Sequence, residues 1–234
     1  MLPKVPGAES VKVSGSQAMD TAVRYAINMQ EMAGLDLVSD GEWRRHAYTH
    51  VIADIVDGFT EDNRESPHRW GISITSPMEV KRSGLIAKEA QFLVASTTKA
   101  TKVCIPSPYL LGVRLWEKSV SSSAYSTRNK FIEALVPILR NELLALQSTG
   151  VTIVQIDEPW VQARPEPAKK YAIEAINRSL QGVTGTTALH LCMGYAAMIK
   201  DRPDEYQFLE ELTECSVDQI SLETAQPNLN LSAL

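Results

Sequence analysis

The chain has 234 residues, of which 44% are hydrophobic and 22% are charged, and its formal net charge is −5. This length can bury a sizeable core, and we expect a single domain over 1–234. The mild acidic balance gives no reason to expect a nucleic acid or an anionic membrane as partner. No apolar stretch approaches the length of a membrane span, and the N-terminus lacks the hydrophobic core of a signal peptide. Three scattered cysteines do not make a disulfide framework, so we expect a reducing cytoplasm.

Hydrophobic periodicity predicts helices that alternate with short apolar strands. In chain order we expect a helix over 17–34, a strand over 35–41, a β-hairpin inserted within 42–84, a helix over 87–99, a strand over 101–108, a helix over 128–150, a strand over 151–159, a helix over 167–182, a strand over 186–194, a helix over 204–215 and a strand over 218–225. Helices and strands that recur at this spacing indicate parallel strands joined by right-handed crossovers.

Polar side chains gather where the predicted strands end. The chain places Asp40 and Glu42, Asp157 and Glu158, His190 and Cys192, and Glu223 at these ends. This distribution is typical of an α/β protein with a (β/α)8 TIM barrel, whose active site lies at the C-terminal face of its strands. A doubly wound sheet often carries a glycine-rich phosphate turn, and this sequence has none. About five barrel strands are visible, so we expect an incomplete barrel, or one that another chain completes, with a β-hairpin insertion.

The segment ALHLCMG at 188–194 raises the question of a metal site. His190 and Cys192 point to the same side of a strand, and Leu191 points to the other. By themselves they are more often part of an ordinary buried strand. Glu223, at the end of the next strand, strengthens the metal hypothesis, because imidazole, thiolate and carboxylate together suit Zn²⁺ and a thiolate is too soft for Mg²⁺.

Two carboxylate motifs are the other candidates. VQIDEP ends in Asp157 and Glu158, a pair that is costly at the end of a buried strand unless it binds something. It could hold an amine or a metal or act as an acid or base, or it could be an ion pair with Arg164 or Lys169. SDGEWRR follows the same order, with a strand end and a turn before a carboxylate, Glu42, and then Arg44 and Arg45. Its alternative to a binding site is a solvated turn with mutual salt bridges.

DGEWRR, IVQIDEPW, LHLCMGY and ISLETA, in this order and spacing, resemble the catalytic barrel of the cobalamin-independent methionine synthase family over roughly 17–230. The resemblance implies that His190, Cys192 and Glu223 bind Zn²⁺, and that Glu42 and Asp157 hold the amino group of homocysteine. It also implies a transferase that moves a methyl group from 5-methyltetrahydrofolate polyglutamate to the homocysteine thiol, giving methionine. Zinc would lower the pKa of the bound thiol, and a general acid would protonate the leaving nitrogen.

Three parts of the family pattern are absent from this sequence. The fourth zinc ligand, a cysteine, and the general-acid histidine would both lie beyond Leu234. The first strand, with a G-S-F-P-like segment, has no counterpart, since SGSQ at 14–17 does not match it. The N-terminal folate-binding half of the long enzymes is also missing. Two alternatives therefore stay open. One is a zinc-dependent thiol alkyltransferase with another donor or acceptor, such as a methyl-corrinoid or coenzyme M. The other is an inactive barrel fragment that needs a partner.

Overall fold

A computed structural model describes residues 15–61, 71–163, 165–192, 205–206 and 208–224. The strands are β1 (Leu37–Val38), β2 (Val56–Glu61), β3 (Ile72–Val80), β4 (Ala100–Pro106), β5 (Ile153–Asp157), β6 (Thr186–Leu191) and β7 (Gln219–Leu222). The helices are α1 (Gly15–Met32), α2 (Val51–Ile55), α3 (Leu85–Ala95), α4 (Pro108–Leu115), α5 (Lys118–Ser121), α6 (Arg128–Gln147), α7 (Trp160–Ala163), α8 (Pro165–Ser179) and α9 (Leu209–Leu212). A single 3-10 turn at Tyr48–His50 precedes α2.

The main sheet has the order β1-β4-β5-β6-β7, and every neighbouring pair of strands is parallel. Consecutive parallel strands with helices between them are the repeating units of a (β/α)8 barrel. The α/β class and the incomplete TIM barrel are therefore confirmed, and the five strands are those that the sequence predicts. Among the described residues, none of the helices is long and apolar enough to cross a membrane.

The predicted hairpin insertion is also confirmed, because β2 and β3 pair antiparallel as a separate two-stranded sheet between β1 and β4 in the chain. The pairing shifts between Asp57 and Phe59, around Gly58. Gly58 has φ +109°, and a Cβ there would lie 2.7 Å from the carbonyl oxygen of Ser76. Only glycine fits such a close approach of two strands.

Strand alternation sorts the residues of the central strands into two sets. Val154 and Ile156 of β5 and Leu189 and Leu191 of β6 are buried and belong to the core cluster, with apolar residues of α4, α6 and α8. The intervening positions lie on the opposite face of the sheet, where Asp157, His190 and Ser221 are in register across β5, β6 and β7. In a barrel this second face becomes the interior, so the strands present their polar side chains to one shared space.

Several helices were not expected from the pattern. The sequence prediction ended the strand at 101–108 on its prolines, yet Pro108 begins α4 with Ser107 as N-cap, whose hydroxyl accepts from the Leu110 N–H. Short helices α2, α5 and α7 were missed as well. The helix predicted over 204–215 is wrong in length, because of its described residues only Leu209–Leu212 are α-helical. The long helix α6 continues through Pro137.

Candidate functional site

The turn after β1 fixes the backbone that carries the first candidate carboxylate. Gly41 has φ +68° and Glu42 has φ +56°, which is uncommon for a residue with a side chain. The carboxylate of Asp40, itself buried, accepts a hydrogen bond from the Glu42 N–H at 3.0 Å. Such local bonding makes the left-handed conformation tolerable at this position. The Glu42 side chain is 31% exposed, so a small molecule can reach it.

Arg45 connects this turn to two other elements. Its Nη1 lies 2.7 Å from Oε1 of Glu42 and donates to the carbonyl oxygen of Cys104 in β4 at 2.8 Å. Its Nε lies 3.0 Å from Oε2 of Glu89 in α3. The Arg45 side chain is only 2% exposed. The sequence-based alternative of a solvated turn with mutual salt bridges is therefore met in part: Arg45 does pair with Glu42 in the turn, but its side chain is buried rather than solvated. Arg44 forms a partly exposed ion pair with Asp20 at 2.6 Å.

Gln155 and Tyr48 hold Asp157 in place at the end of β5. The Nε2 of Gln155, two positions earlier in β5, donates to Asp157 Oδ1 at 2.7 Å and lies 3.3 Å from the sulfur of Cys104. The Tyr48 hydroxyl lies 3.5 Å from the carbonyl oxygen of Asp157. A hydrogen bond from the Tyr48 phenol also opposes the rise that burial causes in the pKa of the Asp157 carboxyl. A carboxylate has about four lone-pair sites, so Asp157 keeps capacity for a ligand beside Gln155 and Tyr48.

The two carboxylates share one electrostatic environment. Burial raises the pKa of Glu42 to about 7; Arg45 opposes this rise, and the charges of Asp157, Asp40 and Glu89 add to it. Burial also raises the pKa of Asp157. Carboxylates that repel one another in a partly desolvated space are stabilised by a cation between them. A substrate ammonium group meets this requirement.

Glu158 has a different role from its neighbour Asp157. Its side chain is fully buried. It accepts hydrogen bonds from the Ser107 hydroxyl and from the N–H groups of Leu110 at 3.0 Å, Trp160 at 2.7 Å and Val161 at 3.2 Å. It thereby joins the start of α4 to the start of α7. The two residues of the predicted ligand-binding pair therefore differ: Glu158 is taken up by hydrogen bonds within the protein, and Asp157 is the candidate ligand-binding residue. Arg164 and the side chain of Lys169, its predicted ion-pair partners, lie outside the described residues.

His190 and Glu223 stand at the ends of adjacent strands. His190 pairs in register with Ser221, and its Nδ1 lies 3.0 Å from the Ser221 hydroxyl oxygen. This contact leaves Nε2 as the ring nitrogen for a metal. The Glu223 N–H donates to the carbonyl oxygen of Leu191 at 3.0 Å, which extends the ladder past β7. His190 also adjoins Asp157 in register on the other side.

Tyr206 connects the backbone of Leu191 with that of Glu223. Its hydroxyl lies 3.1 Å from the carbonyl oxygen of Leu191 and 2.9 Å from that of Glu223. Burial raises the pKa of Tyr206 to about 12, and the charges of Glu223 and Cys192 contribute to the rise. The thiol and the carboxyl group therefore lie near the same phenol. Cys192 is half-buried and Leu191 fully buried, as the alternation of the strand predicts.

His190, Cys192 and Glu223 supply nitrogen, sulfur and oxygen, a donor set that fits Zn²⁺. Within the described ranges, no three His, Cys, Asp or Glu side chains are gathered closely enough to hold a metal ion. The structure thus brings the three positions to neighbouring strand ends but does not assemble them into a ligand cluster. Cys104 is a poor substitute ligand, because burial raises its pKa to about 12 and the neutral thiol persists at neutral pH.

The sequence prediction missed four residues that contact this site. Gln155 follows from strand alternation, since it shares a face with Asp157 two positions on. Glu89 and Tyr48 approach from other elements, and Tyr206 lies outside any recognised motif. No local pattern marks these three.

Comparison with known proteins identifies relatives of the chain. Methionine synthase from Sulfurisphaera tokodaii is 28% identical over 214 residues, which cover 88% of this chain and 58% of that protein. Methionine synthase from Thermococcus kodakarensis is 29% identical, over 91% of this chain and 60% of that protein. The chain therefore spans less than two thirds of these relatives.

A solved structure is similar over most of the chain. It is a B12-independent methionine synthase from Shewanella sp. W3-18-1 in complex with selenomethionine, with a TM-score of 0.76 and 25% identity. The similarity covers 89% of this chain and 65% of that one. The family model described as "Cobalamin-independent synthase, Catalytic domain" matches residues 7–234. The chain belongs to the cobalamin-independent synthase family and corresponds to its catalytic domain.

Proposed function

We propose that this domain, taken as one unit over 1–234, takes part in zinc-dependent methyl transfer from 5-methyltetrahydrofolate polyglutamate to the thiol of homocysteine, which gives methionine. Family membership supports the reaction class. The observation that carries the proposal is the register of Asp157 with His190 on adjacent strands. Neighbouring strands lie about 4.8 Å apart, so a carboxylate for an ammonium group stands beside a metal ligand for a thiol. Homocysteine carries both groups on one short chain.

The residues of the chain divide the work. His190, Cys192 and Glu223 would hold Zn²⁺, which when bound would supply the Lewis acidity that keeps a thiol deprotonated at neutral pH. The Ser221 hydroxyl fixes the His190 ring through Nδ1. Asp157 and Glu42 bind the ammonium group and so orient the sulfur toward the donor. In the transfer, a sulfur lone pair forms the new bond to the methyl carbon, the bond from that carbon to folate N5 breaks with its electron pair going to N5, and a general acid gives N5 a proton.

The ammonium site favours an amino-acid acceptor over the alternatives. A thiol without an amino group, such as coenzyme M, would bring no cation to Asp157 and would leave Arg45 as the cation beside Glu42, and burial raises the pKa of both carboxylates. A methyl-corrinoid donor remains an alternative to the folate, because the carboxylates contact only the acceptor. We place the reaction in the cytoplasm, as expected from a sequence whose three scattered cysteines make no disulfide framework.

Metal analysis of the purified chain tests the proposal. We expect about one zinc per chain after supply of the ion, with loss of the zinc in His190→Ala and in Cys192→Ser. Cys215→Ser is the matched control: Cys215 is a buried member of the apolar core, and this variant keeps the metal. Wild-type protein that holds no zinc when supplied with it would refute the proposal, as would zinc that survives both ligand variants.

A further inference from the structure

We propose that Arg45 is a positioning residue for the ammonium site: with Glu89 as its fixed counter-ion, it holds the Glu42 carboxylate in place opposite Asp157. This inference rests on the proposed function, since it assumes that Glu42 and Asp157 bind a substrate ammonium group. Arg45 itself does not touch the substrate, because its side chain is almost fully buried.

The contacts of Arg45 use the fork geometry of a guanidinium group. Nη1 bonds Glu42 Oε1 at 2.7 Å and the Cys104 carbonyl oxygen at 2.8 Å, while Nε bonds Glu89 Oε2 at 3.0 Å. The three acceptors belong to the turn after β1, to β4 and to α3. A planar fork fixes the direction of each bond, whereas a lysine ammonium group on a flexible stem does not. Arg45 therefore locks the Glu42 side chain to the strand that precedes Asp157 in the sheet.

The charges around Glu42 explain why it needs such a partner. The groups that face it are Arg45, Asp157, Asp40 and Glu89, together with the phenol of Tyr48 and the thiol of Cys104. Three of these groups are carboxylates, and Arg45 is the cation among them. Without Arg45, repulsion would turn the Glu42 side chain toward solvent or favour its protonation. Either change removes one of the two oxygens that face the ammonium group.

Glu89 has a supporting role on the other side of the guanidinium. Its side chain is only 9% exposed. Arg45 is its main partner and stabilises its carboxylate both by charge and by a hydrogen bond. By binding Nε, Glu89 fixes the rotation of the fork, so that Nη1 faces Glu42. Glu89→Gln keeps an acceptor for Nε but removes the charge, and it leaves Glu42 and Asp157 intact.

The test measures ligand binding to the zinc-loaded chain by titration calorimetry. Homocysteine is compared with 4-mercaptobutanoate, which has the same chain and thiol but no amino group. We expect wild-type protein to prefer homocysteine. Arg45→Lys lowers this preference at least about tenfold, equivalent to about 1.4 kcal/mol, while zinc content and the affinity for 4-mercaptobutanoate stay unchanged. Glu89→Gln lowers the preference in the same direction by a smaller factor.

Arg44→Lys is the matched control, because it makes the same change one residue away in an ion pair at the surface. It leaves the preference unchanged. An unchanged preference in Arg45→Lys overturns the inference, and so does an equal loss of affinity for both ligands, which would indicate a structural role only. If Arg45→Lys does not fold, Glu89→Gln decides the question, and an unchanged preference there overturns the inference. Wild-type protein without any preference refutes the ammonium site as well, whereas the zinc measurement tests the metal site separately.

Discussion

Replacing Glu158 by alanine tests the division of labour within the I-D-E-P motif. The change removes the acceptor of four hydrogen bonds at the starts of α4 and α7. Leu110 keeps a second acceptor, the Ser107 hydroxyl at 2.9 Å, but the N–H groups of Trp160 and Val161 lose the carboxylate. Each buried donor deprived of its acceptor costs about 1–3 kcal/mol, so the two together cost about 2–6 kcal/mol. Domains of this kind have a total stability of about 5–15 kcal/mol.

Urea denaturation at pH 6 measures this loss, because most of Glu158, whose pKa is about 7, is then neutral and its ionisation cost is small. Asp157→Ala is the matched control, with the same change at the adjacent residue. It loses side-chain bonds from Gln155 and Tyr48 but no backbone donor, so we expect a change in unfolding free energy within about 1 kcal/mol, together with loss of the preference for homocysteine. A Glu158→Ala variant within about 0.5 kcal/mol of wild type would refute the structural role.

Three further outcomes follow from the structure. Burial raises the Glu158 pKa from 4.5 to about 7, so its contribution to stability is fully present below pH 4.5 and declines by about 3 kcal/mol as pH rises through 7. The unfolding free energy of wild type relative to Glu158→Gln, measured by denaturation, should fall by this amount across the pH range. A difference between the two proteins that does not change with pH would contradict the prediction. With a Glu42 pKa of about 7, the preference for homocysteine over 4-mercaptobutanoate should rise about tenfold from pH 6 to pH 8, and a flat profile in calorimetry would exclude Glu42 from the ammonium site. Gly112→Ala should destabilise the protein by about 1–3 kcal/mol, although alanine favours helices, because the new Cβ would overlap Ile132 of α6. Adding Ile132→Ala should cost less than the sum of the two single changes, and strict additivity in denaturation would argue against the overlap.

The sequence determines the fold class because strand signals are local. VTIVQIDEP and TTALHLCMG are short apolar runs with reactive residues at their ends, and β5 and β6 lie within them. The helix α4 had a local signal too, a serine N-cap followed by proline at the first helical position, but the prolines were taken only as the end of a strand. Here one proline, Pro106, ends strand β4, and a second, Pro108, begins helix α4 two residues later.

The candidate site is predictable only in part. Strand ends identify Glu42, Asp157 and His190, since parallel strands bring their C-terminal ends together. The separation of Asp157 from Glu158 depends on which face of the sheet each side chain takes at the end of β5, and alternation gives that answer only when it is known which face is the interior. The bond between Arg45 and Glu89 joins residues 44 positions apart in different elements. Such a contact arises from tertiary packing, and no spacing in the sequence encodes it.

X-ray absorption at the zinc edge, with and without homocysteine, tests the central claim most directly, because it asks whether the metal donors and the ammonium site serve one ligand. We expect zinc bound by nitrogen, sulfur and oxygen donors in the zinc-loaded protein, and one additional sulfur neighbour when homocysteine is added. In Asp157→Ala the same sulfur signal should need a higher homocysteine concentration. Zinc whose coordination does not change with homocysteine would contradict the proposed thiol site.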